Sequence, residues 1–258
     1  DTDQVVYVWF DALLNYATAV GLTDAPESEG GKKFAQTWPA DVHLVGKDIL
    51  RFHAVIWPAM LMAAGLAVPK KVFAHGWLLV GGEKMSKSKL TGIAPSDITD
   101  HFGVDAFRYY FLRAIPFGSD GSFSWEDMSA RYTSELANDF GNLASRLAAM
   151  IEKYCEGKVP AVAAGAELAE ALNATVAKAD AAMVALDFQG GINAVMDFCK
   201  KVNGYVTEKE PWILAKDPAN KAELEEVLYN TAESLRALAV LLHPVMPATT
   251  EILWESLG

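Results

Sequence analysis

The amino-acid sequence predicts a parallel α/β region followed by an all-α helical bundle. In the first half, short apolar runs rich in β-branched residues alternate with helical patterns, which is typical of a doubly wound parallel sheet. The second half has helical periodicity almost throughout. With 258 residues, of which 52% are hydrophobic, the chain can form two packed domains and is excluded from the intrinsically disordered class.

Three short apolar runs in the first half predict strands. They are Val5–Trp9, Val42–Gly46 and Lys71–Gly76, with Trp77–Val80 extending the third. Helical patterns cover Ala12–Val20, which ends at Gly21, and Asp48 to about Ala64, while residues 23–40 predict a loop with a short helix. Because ligands bind beyond the carboxyl ends of strands in such sheets, we expect a site just after Trp9, Val45 and Ala74.

The second half predicts a bundle of helices with short connections. The first helix begins near Ser124, which with Asp127 resembles an N-terminal cap, and runs to about Tyr154 with room for one break near Gly141. The other helical stretches cover about 167–186, 190–208, 220–242 and 246–256. We therefore predict a domain boundary between residues 123 and 124.

Charge, cysteine content and hydropathy exclude several classes of protein. The net charge of −11 argues against non-specific nucleic-acid binding, although it leaves local recognition surfaces open. The cysteines Cys155 and Cys199 form no CxxC pair, which excludes a disulfide scaffold and a Cys-rich zinc site and favours a reducing, cytoplasmic compartment. No apolar run reaches the about 18 residues of a membrane span, so we expect no membrane partner. A strand-like run at Val5 predicts that the sequence begins inside a larger fold.

A lysine-rich segment, GGEKMSKSK at 81–89, follows the third predicted strand. Its lysines supply positive charge, its serines supply hydroxyl donors, and its glycines let the backbone hinge, which together suit a loop that wraps a polyphosphate. A solvated basic loop is the alternative for this composition. The order KMSKS, directly after a strand of a nucleotide-type fold, resembles the second signature of class I aminoacyl-tRNA synthetases.

The resemblance narrows to the methionyl-tRNA synthetases. The segment WFDAL at Trp9–Leu13, with Tyr16, is similar to the methionine-pocket strand and helix of that family. The segment HLVGKDI at His43–Ile49, with His53 and Trp57, is similar to its second pocket segment. In the bundle, NDFGNLASR at 138–146 and EPWILAK at 210–216 resemble the anticodon-reading segments. These matches span residues 5 to about 257, whereas the HIGH motif and the inserted knuckle domain of the family are absent from the sequence.

This resemblance implies a role for each matching residue. It implies a Rossmann-like half of the catalytic domain with a connecting, stem-contact region over residues 1–123, and an anticodon-binding bundle over 124–258. The implied methionine-binding residues are Trp9, Ala12, Leu13, Tyr16, Ile49, His53 and Trp57. The implied ATP-binding residues are Gly46, Asp48, His75, Leu78, Met85 and Lys87, and the implied catalytic residues are Lys84 and Lys87. The implied anticodon-binding residues are Asn138, Asn142, Arg146, Pro211 and Trp212.

The implied activity is the ATP-dependent activation of methionine to methionyl-adenylate and its transfer to tRNA(Met). ATP would enter with Mg²⁺ as a substrate, and the chain would hold no metal site of its own. The implied partners are methionine, ATP, tRNA(Met) and the N-terminal half of the enzyme, which carries the HIGH motif. Without that half, we expect this chain to be inactive.

Several of these residues also fit simpler structural roles. Ile49, His53 and Trp57 are spaced by four and could be ordinary core, and Asp48 could cap a helix. The stripe of Asn138, Asn142 and Arg146 could be a solvated polar face. A non-catalytic tRNA-binding chain would need neither KMSKS nor the pocket. A class I synthetase for another apolar amino acid is less suited to an aromatic lining, and a generic nucleotidyltransferase would leave the bundle without a role.

Overall fold

Two parallel strands, β1 (His43–Gly46) and β2 (Val72–His75), form the sheet in the first part of the chain. In this computed structural model, the described residues are 3, 8–80, 83–84 and 92–257. His43 pairs with Val72 and Gly46 pairs with His75, so the carboxyl ends of both strands lie side by side. The parallel pairing of the predicted second and third strands is confirmed.

The chain divides into two compact units. The first contains Asp1–Trp77 and Gly118–Asp120, and the second contains Leu78–Phe117 and Gly121–Gly258. The first unit is therefore discontinuous in sequence. The predicted boundary between residues 123 and 124 separates a catalytic domain from an anticodon-binding domain. The division into compact units does not test that assignment, so the boundary stays a prediction.

The helices of the first unit differ in part from the prediction. They are α1 (Trp9–Ala12), α2 (Asn15–Thr18), α3 (Glu29–Thr37) and α4 (Trp57–Ala63). The strand prediction is wrong for Trp9, whose packing against a helical partner outweighs its strand propensity, while 5–7 lie outside the described residues. The predicted helix over 12–20 is split because the amides of Leu14 and Ala17 bond three residues back, to Asp11 and Leu14, and so tighten the turn.

Glycine is required where this helical region ends. Gly21 has φ +99, and a Cβ there would lie 2.3 Å from the carbonyl oxygen of Gly30. An L side chain is therefore excluded both by conformation and by space. The predicted end of the helical pattern at Gly21 agrees with this geometry.

The region after β1 is helical as predicted, but it is not one regular helix. A 3₁₀ turn at Lys47–Ile49 leads into a π-helical segment at Phe52–Ile56, and α4 then begins at Trp57. Pro58 follows at the start of α4 and lacks a backbone N–H, so the preceding turn cannot close with an ordinary i−4 bond at that residue. The wider turn directs His53 and Trp57 into the first unit, where both are buried.

A second, three-stranded sheet belongs to the second unit. It contains β3 (Leu78–Val80), β4 (Glu83–Lys84) and β5 (Gly121–Phe123), with β3 antiparallel to β4 and parallel to β5. The prediction that residues 77–80 extend the third strand is wrong. The backbone N–H of Trp77 donates to the Asp120 carboxylate at 2.8 Å, which ends the first ladder before β3 begins.

The second unit is mainly helical, and its predicted helices are found within a few residues of their expected ends. They are α7 (Trp125–Arg131), α8 (Asn142–Cys155), α9 (Ala166–Val184), α10 (Phe188–Lys209), α12 (Lys221–Leu242) and α13 (Pro247–Leu257). Ser124 caps α7 by accepting from the amide of Asp127 at 3.1 Å, as predicted. Between α7 and α8 the backbone is π-helical over Tyr132–Gly141, and a 3₁₀ turn at Pro218–Asn220 precedes α12. Three helices of this unit were not predicted, namely α5 (Pro95–Phe102), α6 (Val104–Ala114) and the short α11 (Pro211–Leu214).

Each unit buries its own apolar core. The first centres on Leu13, Ala17, Trp57 and Leu61. The second is dominated by α8, α10 and α12, with residues such as Leu147, Val202 and Leu238 almost fully buried. The predicted class, a parallel α/β region followed by a helical bundle, is confirmed. Within the described part of the chain, every helix is too short or too polar to cross a membrane.

Candidate functional site

Aromatic side chains from four helical segments, α1, α2, the π-helical segment and α4, meet in the first unit. Trp9 stacks on Phe52 with ring centroids 5.5 Å apart, and it meets His53 edge-on at 5.9 Å. Tyr16 lies 5.5 Å from His53 and 6.2 Å from Trp57, again between ring centroids. The spacing of His53 and Trp57 and the position of Tyr16 after WFDAL therefore bring these rings together, as the sequence predicts.

A short chain of hydrogen bonds runs through this aromatic cluster. The Nδ1 atom of His53 lies 2.9 Å from the carbonyl oxygen of Ile49, and its Nε2 atom lies 2.8 Å from the Tyr16 hydroxyl. A carbonyl oxygen only accepts, so the network assigns the proton to Nδ1, and Nε2 accepts from Tyr16. Burial raises the pKa of Tyr16, which keeps the hydroxyl protonated and able to donate.

The other predicted pocket residues differ in burial. Leu13 and Trp57 are fully buried in the core of the first unit, whereas Ala12 is exposed and Ile49 is partly exposed. Ile49 contributes its carbonyl oxygen to His53, and Ala12 belongs to the exposed side of α1. The geometry thus unites Trp9, Leu13, Tyr16, His53 and Trp57, and methionine binding by this set stays a prediction.

Sequence reasoning missed two members of the cluster. His43, the first residue of β1, is 6% exposed and accepts a hydrogen bond from the Trp57 indole at 3.0 Å. Phe52 supplies the ring on which Trp9 stacks. The alternating burial along β1 places His43 on the inner face, and that alternation was the available signal.

The predicted nucleotide-binding residues of the first unit lie together at the carboxyl ends of β1 and β2. Gly46 pairs with His75, and a Cβ on Gly46 would lie 2.6 Å from the Oδ1 atom of Asp48. A side chain there would collide with this carboxylate, so glycine keeps the turn open. Asp48 lies inside the 3₁₀ turn, whose N-cap position Gly46 occupies, so it is not the capping residue. Leu78, also predicted here, begins β3 in the second unit.

An ion pair beside this turn was also missed. Lys47 Nζ lies 2.6 Å from Oδ1 of Asp120 and 4.1 Å from the ring centroid of Trp77. Asp120 accepts hydrogen bonds from Lys47 and from the Trp77 amide, and both lower the pKa of its carboxyl group. The bond from Lys47 has the larger effect. Lys47 thus connects the turn that carries Asp48 to the residues that follow β2.

The predicted catalytic segment is described only at its first lysine. Lys84 lies in β4, where it pairs with Leu79 across the antiparallel ladder. Met85 and Lys87, together with the remainder of KMSKS, lie outside the described residues. Their assigned roles stay predictions.

The predicted anticodon-binding residues lie in the second unit. Asn138 is exposed in the π-helical segment, and Asn142 and Arg146 follow in α8. The Arg146 guanidinium lies 5.7 Å from the ring centroid of Trp212, which follows Pro211 at the start of α11. Glu210, with φ +44, makes the turn between α10 and α11 that brings Trp212 to Arg146. A guanidinium, two exposed amides and an indole thus lie on neighbouring helices.

The described residues contain no group of three or more His, Cys, Asp or Glu side chains that could hold a metal ion. The first unit holds an aromatic cluster with buried polar atoms and a glycine-containing turn with a carboxylate, and the second unit holds a polar helical surface with a half-buried indole. These are features of a small-molecule site and of a single-stranded nucleic-acid surface.

Two family models match the chain. The model described as "tRNA synthetases class I (M)" matches residues 1–148, and "Anticodon-binding domain of tRNA ligase" matches residues 166–258. The chain is 65% identical to the methionine–tRNA ligase of Streptomyces coelicolor, over 100% of this chain and 48% of that protein. It is 48% identical to the methionine–tRNA ligase of Caldanaerobacter subterraneus, over 100% of this chain and 40% of that protein.

A solved structure of a methionyl-tRNA synthetase also matches the chain. The Mycobacterium tuberculosis methionyl-tRNA synthetase in complex with methionyl-adenylate aligns with a TM-score of 0.89 and 41% identity, over 97% of this chain and 50% of that chain. The chain thus spans about half the length of the relatives it matches, or somewhat less. The match of the first model to more than half of the residues, with the same fold in the aligned structure, leads to one conclusion: this chain belongs to the class I tRNA synthetases, in the methionine family.

Proposed function

We propose that the full-length enzyme, meaning this chain together with the remaining half that its relatives have, is a methionine–tRNA ligase. The observation that carries this proposal is the aromatic cluster of Trp9, Tyr16, His53 and Trp57. Thioether sulfur packs well against aromatic edges, so a cluster of this kind suits the unbranched side chain of methionine. The Tyr16 hydroxyl, which donates to His53, retains an oxygen that can accept a hydrogen bond and orient a ligand in otherwise apolar surroundings.

The proposed reaction has two steps. The carboxylate of methionine attacks the α-phosphorus of ATP, which enters with Mg²⁺ as the substrate, and pyrophosphate leaves as the bond to the β-phosphate breaks. A terminal ribose hydroxyl of tRNA(Met) then attacks the carbonyl carbon of methionyl-adenylate, and AMP leaves. The reaction needs no protein nucleophile, so the protein acts by positioning and by electrostatic stabilisation of the developing charge.

The family resemblance assigns nucleotide binding to residues of each unit, namely the ends of β1 and β2 in the first, and Leu78 with the KMSKS segment in the second. Asp48 would accept from the ribose hydroxyls, while Gly46 lets the ligand approach the turn closely. His75 would contribute to ATP binding from the first unit. In the second unit, the backbone near Leu78 would hydrogen-bond the adenine, and Met85 would be a further ATP-binding residue. Lys84 and Lys87 would neutralise charge on the β- and γ-phosphates as pyrophosphate forms.

The bundle would read the anticodon of tRNA(Met). Asn138, Asn142 and Arg146 carry donors and acceptors that fit the edges of unstacked bases, and Trp212 offers a stacking surface beside Pro211. Recognition of this kind relies on stacking and hydrogen bonds, so it is compatible with the net charge of −11. A cytoplasmic location would follow from this substrate.

Amino-acid-dependent ATP–pyrophosphate exchange tests the proposal. We expect the full-length enzyme to exchange pyrophosphate with methionine and at least about a hundredfold less efficiently with leucine, isoleucine or valine. A preference for one of these aliphatic amino acids would replace the proposal with a synthetase of different specificity. No exchange with any amino acid, in a folded enzyme that still binds tRNA, would favour a non-catalytic tRNA-binding protein.

The same assay on this chain by itself tests the division of the catalytic site. We expect no exchange above background, because the HIGH-bearing half would supply groups that contact the α-phosphate. Robust exchange by this chain would contradict that division and would place all the catalytic groups within the 258 residues.

A further inference from the structure

His43 is a buried imidazole that the proposed reaction does not use. It is 6% exposed, it begins β1, and its Nε2 atom lies 3.0 Å from Nε1 of Trp57. An indole N–H can only donate, so His43 must accept through an unprotonated Nε2. The hydrogen bond therefore specifies a neutral His43 with its proton on Nδ1.

The His43 imidazole also packs against the rings of Tyr16 and His53. Its ring centroid lies 4.5 Å from that of Tyr16 and 6.1 Å from that of His53. Tyr16 in turn donates to His53, which is tied to the carbonyl of Ile49. His43 thus makes two kinds of contact in the cluster. It accepts a hydrogen bond from Trp57, and its ring packs on Tyr16.

The hydrogen bond adds a directed constraint to the packing around Trp57. Trp57 is fully buried, and its N–H has a directed partner in the rotamer that reaches His43. Leaving that N–H unpaired inside the core would be costly, so the rotamer that reaches Nε2 of His43 is strongly preferred. The position of the Trp57 ring then decides how much room remains beside Tyr16 and His53.

We propose that His43 is a positioning residue that sets the shape of the methionine pocket, and with it the selectivity for the methionine side chain. This inference rests on the proposed function. His43 would act through Trp57 and Tyr16 without touching the reacting atoms. Its loss would therefore change recognition of the side chain and leave ATP recognition unchanged.

The test compares two substitutions of His43 in the full-length enzyme. His43→Phe keeps the ring and the packing on Tyr16 but removes the acceptor, whereas His43→Gln keeps an acceptor that can reach the Trp57 N–H. We expect His43→Phe to raise KM for methionine about tenfold, with KM for ATP and kcat changed less than about twofold. We expect it to lower the ratio of kcat/KM for methionine over ethionine about fivefold, and His43→Gln to restore most of both effects.

Trp38→Phe is the matched control for a merely structural effect. The substitution removes one indole hydrogen bond from the same core, because Trp38 donates to the carbonyl oxygen of Ala67 at 3.1 Å. The Trp38 ring, like that of Tyr16, packs against Trp57, with the two ring centroids 6.1 Å apart. We expect this variant to lower Tm without changing KM for methionine. The double variant His43→Phe/Trp57→Phe leaves no unpaired N–H, so it keeps the test decisive if the single variant folds poorly. In the Trp57→Phe background, adding His43→Phe should change KM for methionine less than about twofold, because the N–H that His43 pairs is then absent.

Each outcome decides the matter. Equal changes in KM for methionine with His43→Phe, His43→Gln and Trp38→Phe would reduce His43 to a core residue and overturn this inference alone. Additive effects of His43→Phe and Trp57→Phe would do the same. A wild-type enzyme without methionine-dependent exchange would overturn the proposed function and this inference together.

Discussion

The guanidinium of Arg146 lies over the indole ring of Trp212, 5.7 Å from its centroid, although the two residues belong to different helices. Packing of this kind orients the cation and leaves part of its donor edge available. The pair therefore combines a hydrogen-bonding group and a stacking surface, which is what an unstacked base requires.

Removal of either member of this pair should weaken anticodon binding. Trp212→Ala should lower the affinity for the anticodon stem-loop of tRNA(Met) about tenfold, because one stacking surface is worth about 1–3 kcal/mol per base. Arg236 and Trp254 provide a matched control, since their ring-to-guanidinium distance is also 5.7 Å. Trp254→Ala should change the affinity less than about twofold, and equal losses from both variants would remove the anticodon assignment.

The second lysine of KMSKS should act mainly on the transition state. Lys87→Ala in the full-length enzyme should lower the rate of methionine-dependent ATP–pyrophosphate exchange at least about thirtyfold, while Kd for methionine changes less than about twofold. Lys33→Ala, which removes an exposed lysine of α3, is the control for a general loss of positive charge. An effect of Lys87→Ala below about threefold, or about 0.7 kcal/mol, would contradict the catalytic role.

Two glutamates should differ sharply in their contribution to stability. Glu135 is 12% exposed and accepts from Tyr109 at 2.6 Å and from Arg113 and Arg131 at 3.2 Å each. Glu135→Ala should lower the free energy of unfolding by about 3 kcal/mol, because it leaves buried donors without an acceptor. The ion pair of Glu233 with Arg236 is more exposed, so Glu233→Ala should cost less than about 1 kcal/mol. Urea denaturation measures both, and equal losses would contradict the burial argument.

The buried His43 should make stability depend on pH. Two causes lower the pKa of His43 below its unfolded value of about 6.5. Burial is the larger cause, and the charge of His53 is the smaller. The unfolded chain therefore binds the proton more readily, so the free energy of unfolding falls as pH decreases below about 6.5 toward the folded pKa. The titratable side chains that face His43 are Tyr16 from α2 and His53 from the π-helical segment.

The measurement compares Tm of the full-length enzyme at about pH 7.5 and about pH 5.5. The decrease in Tm should be smaller in His43→Gln than in the wild type, because glutamine keeps the acceptor but does not titrate. Identical decreases in the two proteins would place the pH dependence at other groups.

The sequence predicts those parts of the fold that depend on local chemistry. Ser124 is a capping residue, Gly21 adopts a positive φ, and the apolar periodicity of α10 and α12 follows from the helical repeat. Such features depend on a few neighbouring residues, so their positions can be predicted to within a turn. The resemblance to a known family brought together the residues of the aromatic cluster, which lie far apart in sequence.

The features that the sequence did not predict depend on contacts between distant segments. The π-helical segment at Tyr132–Gly141 contains Glu135, which accepts hydrogen bonds from α6, and α6 itself had not been assigned. The acceptor role of His43 depends on where Trp57 lies after its own helix has formed. Neither relationship has a fixed spacing in the sequence, so periodicity could not find them.

The carboxylate of Asp120 binds Lys47 across a separation of 73 residues, and Asp120 belongs to the segment Gly118–Asp120 of the first unit, which interrupts the second unit in sequence. During synthesis, the ribosome must therefore release α5 and α6 before the first unit can acquire this anchor. A protein truncated after Trp77 would retain Lys47 and the Trp77 amide but would lose the carboxylate that both of them bind. Attempts to express the first unit as a separate domain would therefore have to graft residues 118–120 back onto it, because a single cut in the gene cannot separate the two units.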